Sequence, residues 1–274
     1  MRQPNRVGFA AARLATGPRL RYAEQGDGAG ESIVFLHAYA DSWYSYGRVL
    51  PSLSPEYHVF APDQRGHGES DKPECCYTAD DFAADVDAFM DAVGIERATL
   101  VGDSSSGMIA RHVALDYPRR VDRLVLIGTP TTLVGNEAAL EFLEGVRALE
   151  DPVAPEFVRK LVTGLIHHPV PQEFLETVLT ESLKVPARVW RDYWEGVALA
   201  LDHTARLGEI AAPTLILWGE QDPLLPREEQ ERLAAAIPHA TLKSYPETGH
   251  LAQWERPEWV ARDLEAFMSD ARTA

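Results

Sequence analysis

Three consecutive serines sit in Leu100-Val-Gly-Asp-Ser-Ser-Ser-Gly-Met108, between a short apolar run and the start of an amphipathic one. A strand that turns directly into a helix can lift a serine hydroxyl clear of the backbone. The turn is tight, so the residues two before and two after that serine must be small. Ser104 has Gly102 and Ser106 at those positions, whereas Ser105 would have the bulkier Asp103 and Gly107. Ser104 is therefore favoured as a nucleophile, with Ser105 as the alternative. Asp103 as nucleophile would put Val101 on the turn and lies one position early. Taken alone, the stretch also reads as a serine-rich helix cap. A serine hydroxyl attacks only when a base takes its proton, and the base is a histidine oriented by a carboxylate. His250 follows Gly249 just ahead of the last helical pattern. The loop Gly128–Thr132 holds no acid, whereas Gly219–Pro223 holds two, and Asp222, beside Pro223 and further along the turn, is preferred over Glu220 as its carboxylate.

Those three side chains need a scaffold that brings distant loops together. Short apolar runs recur at Ser32–Leu36, His58–Ala61, Ala98–Val101, Arg123–Ile127, Thr214–Trp218 and Ala240–Tyr245. They read as buried strands covered on both faces. Gly8–Ala15 and Arg19–Glu24 read as an edge hairpin. Helical spacing appears over Thr78–Val93, Ser106–Tyr117, Arg227–Ile237 and Glu258–Met268, with Gly94 and Pro118 as stops. The alternation predicts an α/β fold with a mostly parallel sheet of about eight strands flanked by helices. Between Thr129 and Leu207 the alternation breaks into helical patterns with prolines. This predicts a core of residues 1–129 and 209–274, with a helical lid at 130–208 over the strand ends where ligands bind in open sheets.

With the motifs in order, the chain resembles the α/β-hydrolase superfamily, in particular its lidded esterase, lactonase and carbon–carbon hydrolase group. Phe35-Leu-His-Ala-Tyr39 is similar to the family's HG-x segment, and Pro62–Ser70 to its D-x-R-G-x-G-x-S loop. Trp218–Pro223 and Gly249–Pro257 resemble its acid and histidine segments, and the order Ser, Asp, His is the family's. The resemblance implies a Ser104–His250–Asp222 triad and an oxyanion hole from the backbone N–H groups of Tyr39 and Ser105. Ala38 and Ser106 stand where the family has glycine, a departure expected to reshape the first loop and to add a hydroxyl near the turn. His37 and His67 are expected to organise loops.

The expected activity is hydrolysis of a medium-sized, uncharged, hydrophobic ester or lactone through an acyl-enzyme, with no metal or organic cofactor. The alternatives are cleavage of a carbon–carbon bond in a diketone-type substrate, or a slow-turnover ligand receptor on the same fold. Trp190, Trp194 and Met108 are expected to line the substrate pocket; Trp190, Tyr193, Trp194 and Val197 share one helical face. His167 and His168 are expected at the surface or as caps.

A net charge of −16 over 274 residues disfavours nucleic acid and anionic membrane as partners. With 45% hydrophobic and 25% charged residues the composition is that of a globular protein. Arg13 interrupts the apolar stretch Phe9–Leu14, and no run is long enough for a bilayer, so a cytoplasmic monomer or homodimer is expected. Cys75 and Cys76 are adjacent and are read as two loop thiols.

Overall fold

The computed structural model describes residues 6–270. Eight strands form one sheet in the order β1-β2-β4-β3-β5-β6-β7-β8. They are β1 (Gly8–Arg13), β2 (Arg19–Gly26), β3 (Ser32–Leu36), β4 (His58–Pro62), β5 (Ala98–Asp103), β6 (Val121–Ile127), β7 (Thr214–Gly219) and β8 (Ala240–Tyr245). β1 and β2 pair antiparallel, as do β2 and β4; every other pairing is parallel.

The apolar runs explain the layering. Side chains alternate across a strand, so Val34, Leu36, Leu100, Leu124 and Leu126 enter the core on one face. Ile33, Phe35, Val101, Val125 and Ile127 enter a second core on the other. Each fully buried aliphatic side chain contributes roughly 1.5–3 kcal/mol. A slip of one residue would exchange the two sets between cores shaped for different side chains, which holds the register. Helix α1 (Ala79–Ala92) starts at a capping box in which Thr78 and Asp81 bond reciprocally, and it gives way at Gly94, whose φ is +75°. Helix α2 (Ser104–Asp116) starts two residues earlier than the sequence pattern suggests. The reason is a cap at Asp103, so the favoured serine is itself the first helical residue.

Between β6 and β7 lie α3 (Glu137–Arg147), α4 (Pro155–Thr163), α5 (Gln172–Ser182) and α6 (Ala187–Tyr193), and α6 continues into a π-helical turn at Trp194–Ala198. Val146, Val158, Phe174 and Trp190 of this segment share one apolar cluster with Val34 and Leu36 of the sheet. Helices α7 (Arg227–Ala236), α8 (Ala252–Glu255) and α9 (Pro257–Asp270) complete the chain. Cys75 and Cys76 are bonded to each other, which corrects the expectation of two loop thiols. No helix among the described residues is long and apolar enough to cross a membrane.

Candidate active site

The site is built at the carboxyl ends of β3, β5, β7 and β8. β5 runs without an intervening loop into α2, and Ser104 takes the strain of that turn with φ +48°. A non-glycine residue in this region is a strained exception. Gly102 is required: a Cβ there would lie 2.7–2.8 Å from Ser106 O and the Gly107 backbone. Ser106, in contrast, fits. Its Oγ donates toward Leu36 O (2.6 Å) and Asp103 O (2.8 Å) and accepts from Asp103 N (3.0 Å), fastening the turn to β3.

Ser104 Oγ lies 2.9 Å from His250 Nε2, and His250 Nδ1 lies 2.7 Å from Asp222 Oδ2. Asp222 is pinned by the N–H groups of Leu224 and Leu225, which donate to its Oδ1 at 2.8 and 3.1 Å. The loop after β8 carries His250. Its backbone N–H donates to Leu165 O (3.0 Å) in the inserted segment. Glu255 accepts from the N–H groups of Gly249, His167 and His168. Burial opposes protonation of His250, but the charge and hydrogen bond of Asp222, helped by Asp103 and Glu255, outweigh it and raise the imidazole above its usual range. Neither Ser105 nor Glu220 bonds to His250: Glu220 pairs with Arg227 and Ser244.

Sequence reasoning missed the buried network behind the serine. Asp103 accepts from Tyr46 Oη (2.8 Å) and Gln253 Nε2 (2.8 Å), and burial pushes its carboxyl up to about 6 in spite of these bonds. His37 and His67 are buried and held below the ordinary histidine range, chiefly by desolvation. His37 Nδ1 meets Ala38 O at 2.9 Å and its Nε2 accepts from Gln64 N, so it ties β3's loop to the loop after β4. Ala38 is not among the residues with positive φ, so an alanine meets no backbone strain there.

The N–H of Tyr39 donates to Ser105 Oγ at 3.1 Å. The N–H of Ser105, in the first turn of α2, has no acceptor within the helix. These are the two donors named from the resemblance. A cavity of about 390 Å³ opens over Ser104 and His250. Its walls include Tyr39, Phe142, Leu161, Trp190 and Trp194, and its lining holds no lysine or arginine, only the acids Asp41 and Glu229. Burial pushes the Asp41 carboxyl well above its usual range. Val158, Leu161, Val162 and Leu165 also line the wall; their i, i+3, i+4, i+7 spacing was a readable signal. Met108 does not line it. One turn beyond Ser104, it faces the sheet core with Leu36 and Leu126, which corrects the pocket assignment. Among the described residues only Asp80, His112 and Asp116 have ligand-like spacing. His112 already pairs with Asp80, and Asp116 with Arg206.

A family model described as alpha/beta hydrolase fold matches residues 31–257. The chain is 33% identical over 279 residues to a 2-hydroxy-6-oxononadienedioate/2-hydroxy-6-oxononatrienedioate hydrolase of Paraburkholderia phymatum, covering 93% of each. It is 30% identical over 273 residues to a 2-hydroxy-6-oxo-6-phenylhexa-2,4-dienoate hydrolase of Burkholderia cepacia, covering 89% of each. Among solved structures, a meta-cleavage product hydrolase from Pseudomonas fluorescens superposes with a TM-score of 0.80 at 25% identity, over 97% of this chain and 98% of that one.

Proposed function

The chain belongs to the alpha/beta hydrolase fold family, and from that membership we propose that it is a serine hydrolase in which Ser104, His250 and Asp222 cleave an uncharged, largely hydrophobic substrate beneath a helical lid. The observation that carries this reading is the unbroken chain of short contacts from Ser104 Oγ through both ring nitrogens of His250 to Asp222, opening into an apolar cavity.

His250 takes the Ser104 proton as the hydroxyl oxygen attacks a carbonyl carbon. Asp222 fixes the tautomer and steadies the imidazolium. The N–H groups of Tyr39 and Ser105 receive the developing oxyanion, each worth about 3 kcal/mol when well aimed. His250 then gives its proton to the departing group, and water releases the acyl group by the same route. A departing alkoxide makes this an esterase or lactonase; a departing enol-type carbon makes it a carbon–carbon hydrolase.

The relatives rank these two differently from the sequence. Their names describe cleavage of hydroxy-oxo-dienoates, which puts carbon–carbon cleavage beside a ketone first. Ester or lactone hydrolysis is the second reading, favoured by one observation. The relatives' substrates are named as carboxylates, whereas this cavity offers an anion no lysine or arginine and no basic group besides His250, and burying an unpaired carboxylate costs several kcal/mol.

The test is initial rates on aryl esters, aliphatic lactones and an uncharged versus a carboxylated oxo-dienyl ketone, for wild type and Ser104→Ala. Turnover of an uncharged substrate, lost by more than about a thousandfold in the variant, is expected, and the best class decides the bond. Undiminished turnover in Ser104→Ala would sink the nucleophile. Tight binding without turnover would return the receptor reading.

A further inference from the structure

We propose that the side-chain hydroxyl of Ser105 is a third donor to the oxyanion, beyond the two backbone N–H groups, and that Tyr193 of the overlying segment positions it. The proposal rests on the serine-hydrolase reading above.

A serine hydroxyl has one proton and two lone pairs. Ser105 Oγ accepts from the N–H of Tyr39 (3.1 Å) and from Tyr193 Oη (3.1 Å). Both lone pairs are thereby used. Among the described residues no acceptor takes its proton, and Ser105 lines the cavity beside Ser104. The opposite orientation, with Ser105 donating to Tyr193, would strand the phenol proton instead. Tyr193 is fully buried, its ring packed against Phe82, His67 and Tyr39, and it does not line the cavity. An orphaned donor there costs the desolvation of that group, whereas a hydroxyl proton facing the cavity can be satisfied by whatever occupies it. The network therefore aims the Ser105 proton at the ligand.

An oxygen gripped by the N–H groups of Tyr39 and Ser105 sits next to the Oγ that Tyr39 already contacts. As negative charge develops on it, the Tyr39 N–H can be shared between the two oxygens and the Ser105 proton points at the charge. Tyr193 is the last residue of α6, so the overlying segment reaches the Ser105 hydroxyl through this hydrogen bond, beside a second one from Tyr39 Oη to Trp190 O. Ser105 would touch the reacting atoms. Tyr193 would act only through Ser105.

The experiment compares wild type, Ser105→Ala, Tyr193→Phe and the double variant, with Ser104→Ala as the control for the underlying reading. Two probes are used: acylation by a p-nitrophenyl ester, and binding of phenylboronic acid, whose tetrahedral adduct on a serine mimics the charged intermediate. Ser105→Ala keeps the backbone donor and is expected to slow acylation and weaken boronate binding by about tenfold or more, with KM little changed. Its melting temperature is expected to fall by a few degrees, because the buried Tyr193 phenol loses its acceptor. Tyr193→Phe is expected to cost several-fold alone and less than about twofold when Ser105 is already alanine. A rate for Ser105→Ala equal to or above wild type would overturn the donor, since the hydroxyl would then be competing for the Tyr39 N–H. An equal cost of Tyr193→Phe in both backgrounds would overturn its positioning role. Boronate binding and acylation unaffected by Ser104→Ala would overturn the nucleophile first, and this proposal with it.

Discussion

His250 is the residue on which the pH behaviour turns. Burial works against its charge, but Asp222, Asp103 and Glu255 together raise it above the ordinary histidine value of 6.5. A raised base is neutral only above its own pKa, so kcat/KM should rise through a midpoint above 6.5 as pH increases. Asp222→Asn should move that midpoint down and lower kcat by about four orders of magnitude, read from a pH–rate profile of each form. Asp103 makes a second prediction. Its folded pKa of about 6 exceeds the usual 3.8, so its stabilising contribution is full below 3.8 and lost as pH rises through about 6. At pH 8 the buried charge costs roughly 3 kcal/mol. Asp103→Asn should therefore be more stable than wild type at about pH 8, with the gap closing below about pH 4, as measured by urea unfolding. With the Gln253 amide turned over, its Oε1, which has no partner in the native network, accepts from the new amide in place of the present Gln253 Nε2 donation. Ser104, Asp222 and His250 were readable because each sits in a short, sterically constrained segment. Asp103, Tyr46 and Gln253 were not, since nothing along the chain marks residues that meet only after three loops converge.

At the scale of elements, the strands were legible because short apolar runs between turn and helix signals fit covered strands, and observed ends differ by two residues or fewer. The exception in burial is β8, an edge strand that is half exposed where Ala240–Tyr245 was expected to be covered on both faces. The face of α6 was legible in part. Period 3.6 puts Trp190, Tyr193, Trp194 and Val197 on one stripe, and Trp190, Tyr193 and Val197 are buried in one cluster although the chain enters a π turn at Trp194. Trp190 and Tyr193 are fully buried, while Trp194 remains partly open, its Nε1 donating to Ala139 O. Trp194 thus walls the cavity without anchoring the core. Trp194→Ala should enlarge the cavity, raising kcat/KM for bulkier acyl groups relative to small ones by several-fold, on a series of p-nitrophenyl esters. Trp190→Ala should instead destabilise the protein by about 3–5 kcal/mol in urea unfolding.

For the whole molecule, the decisive fact is that one apolar cluster runs from the sheet into the inserted segment. Val34 and Leu36 share it with Val146, Val158 and Trp190. A segment with no core of its own has no independent stability. Heat or urea should therefore unfold both parts in a single transition, with tryptophan fluorescence and far-ultraviolet circular dichroism coinciding. A resolved earlier loss of tryptophan signal would show the segment melting alone. The net charge of −16 was legible from composition, and so was the break in alternation after Ile127. The way the segment joins the sheet was not, because that depends on contacts between residues far apart in the chain.

The hydrogen bond from His250 N to Leu165 O, and the grip of Glu255 on Gly249, His167 and His168, also bear on how such a chain diversifies. The segment that shapes the cavity also holds the loop carrying His250. Grafting a relative's segment onto this sheet would transplant part of that loop's support along with a new cavity. Substrate range in this chain is therefore easier to inherit by single replacements in the cavity wall than by exchange of whole segments.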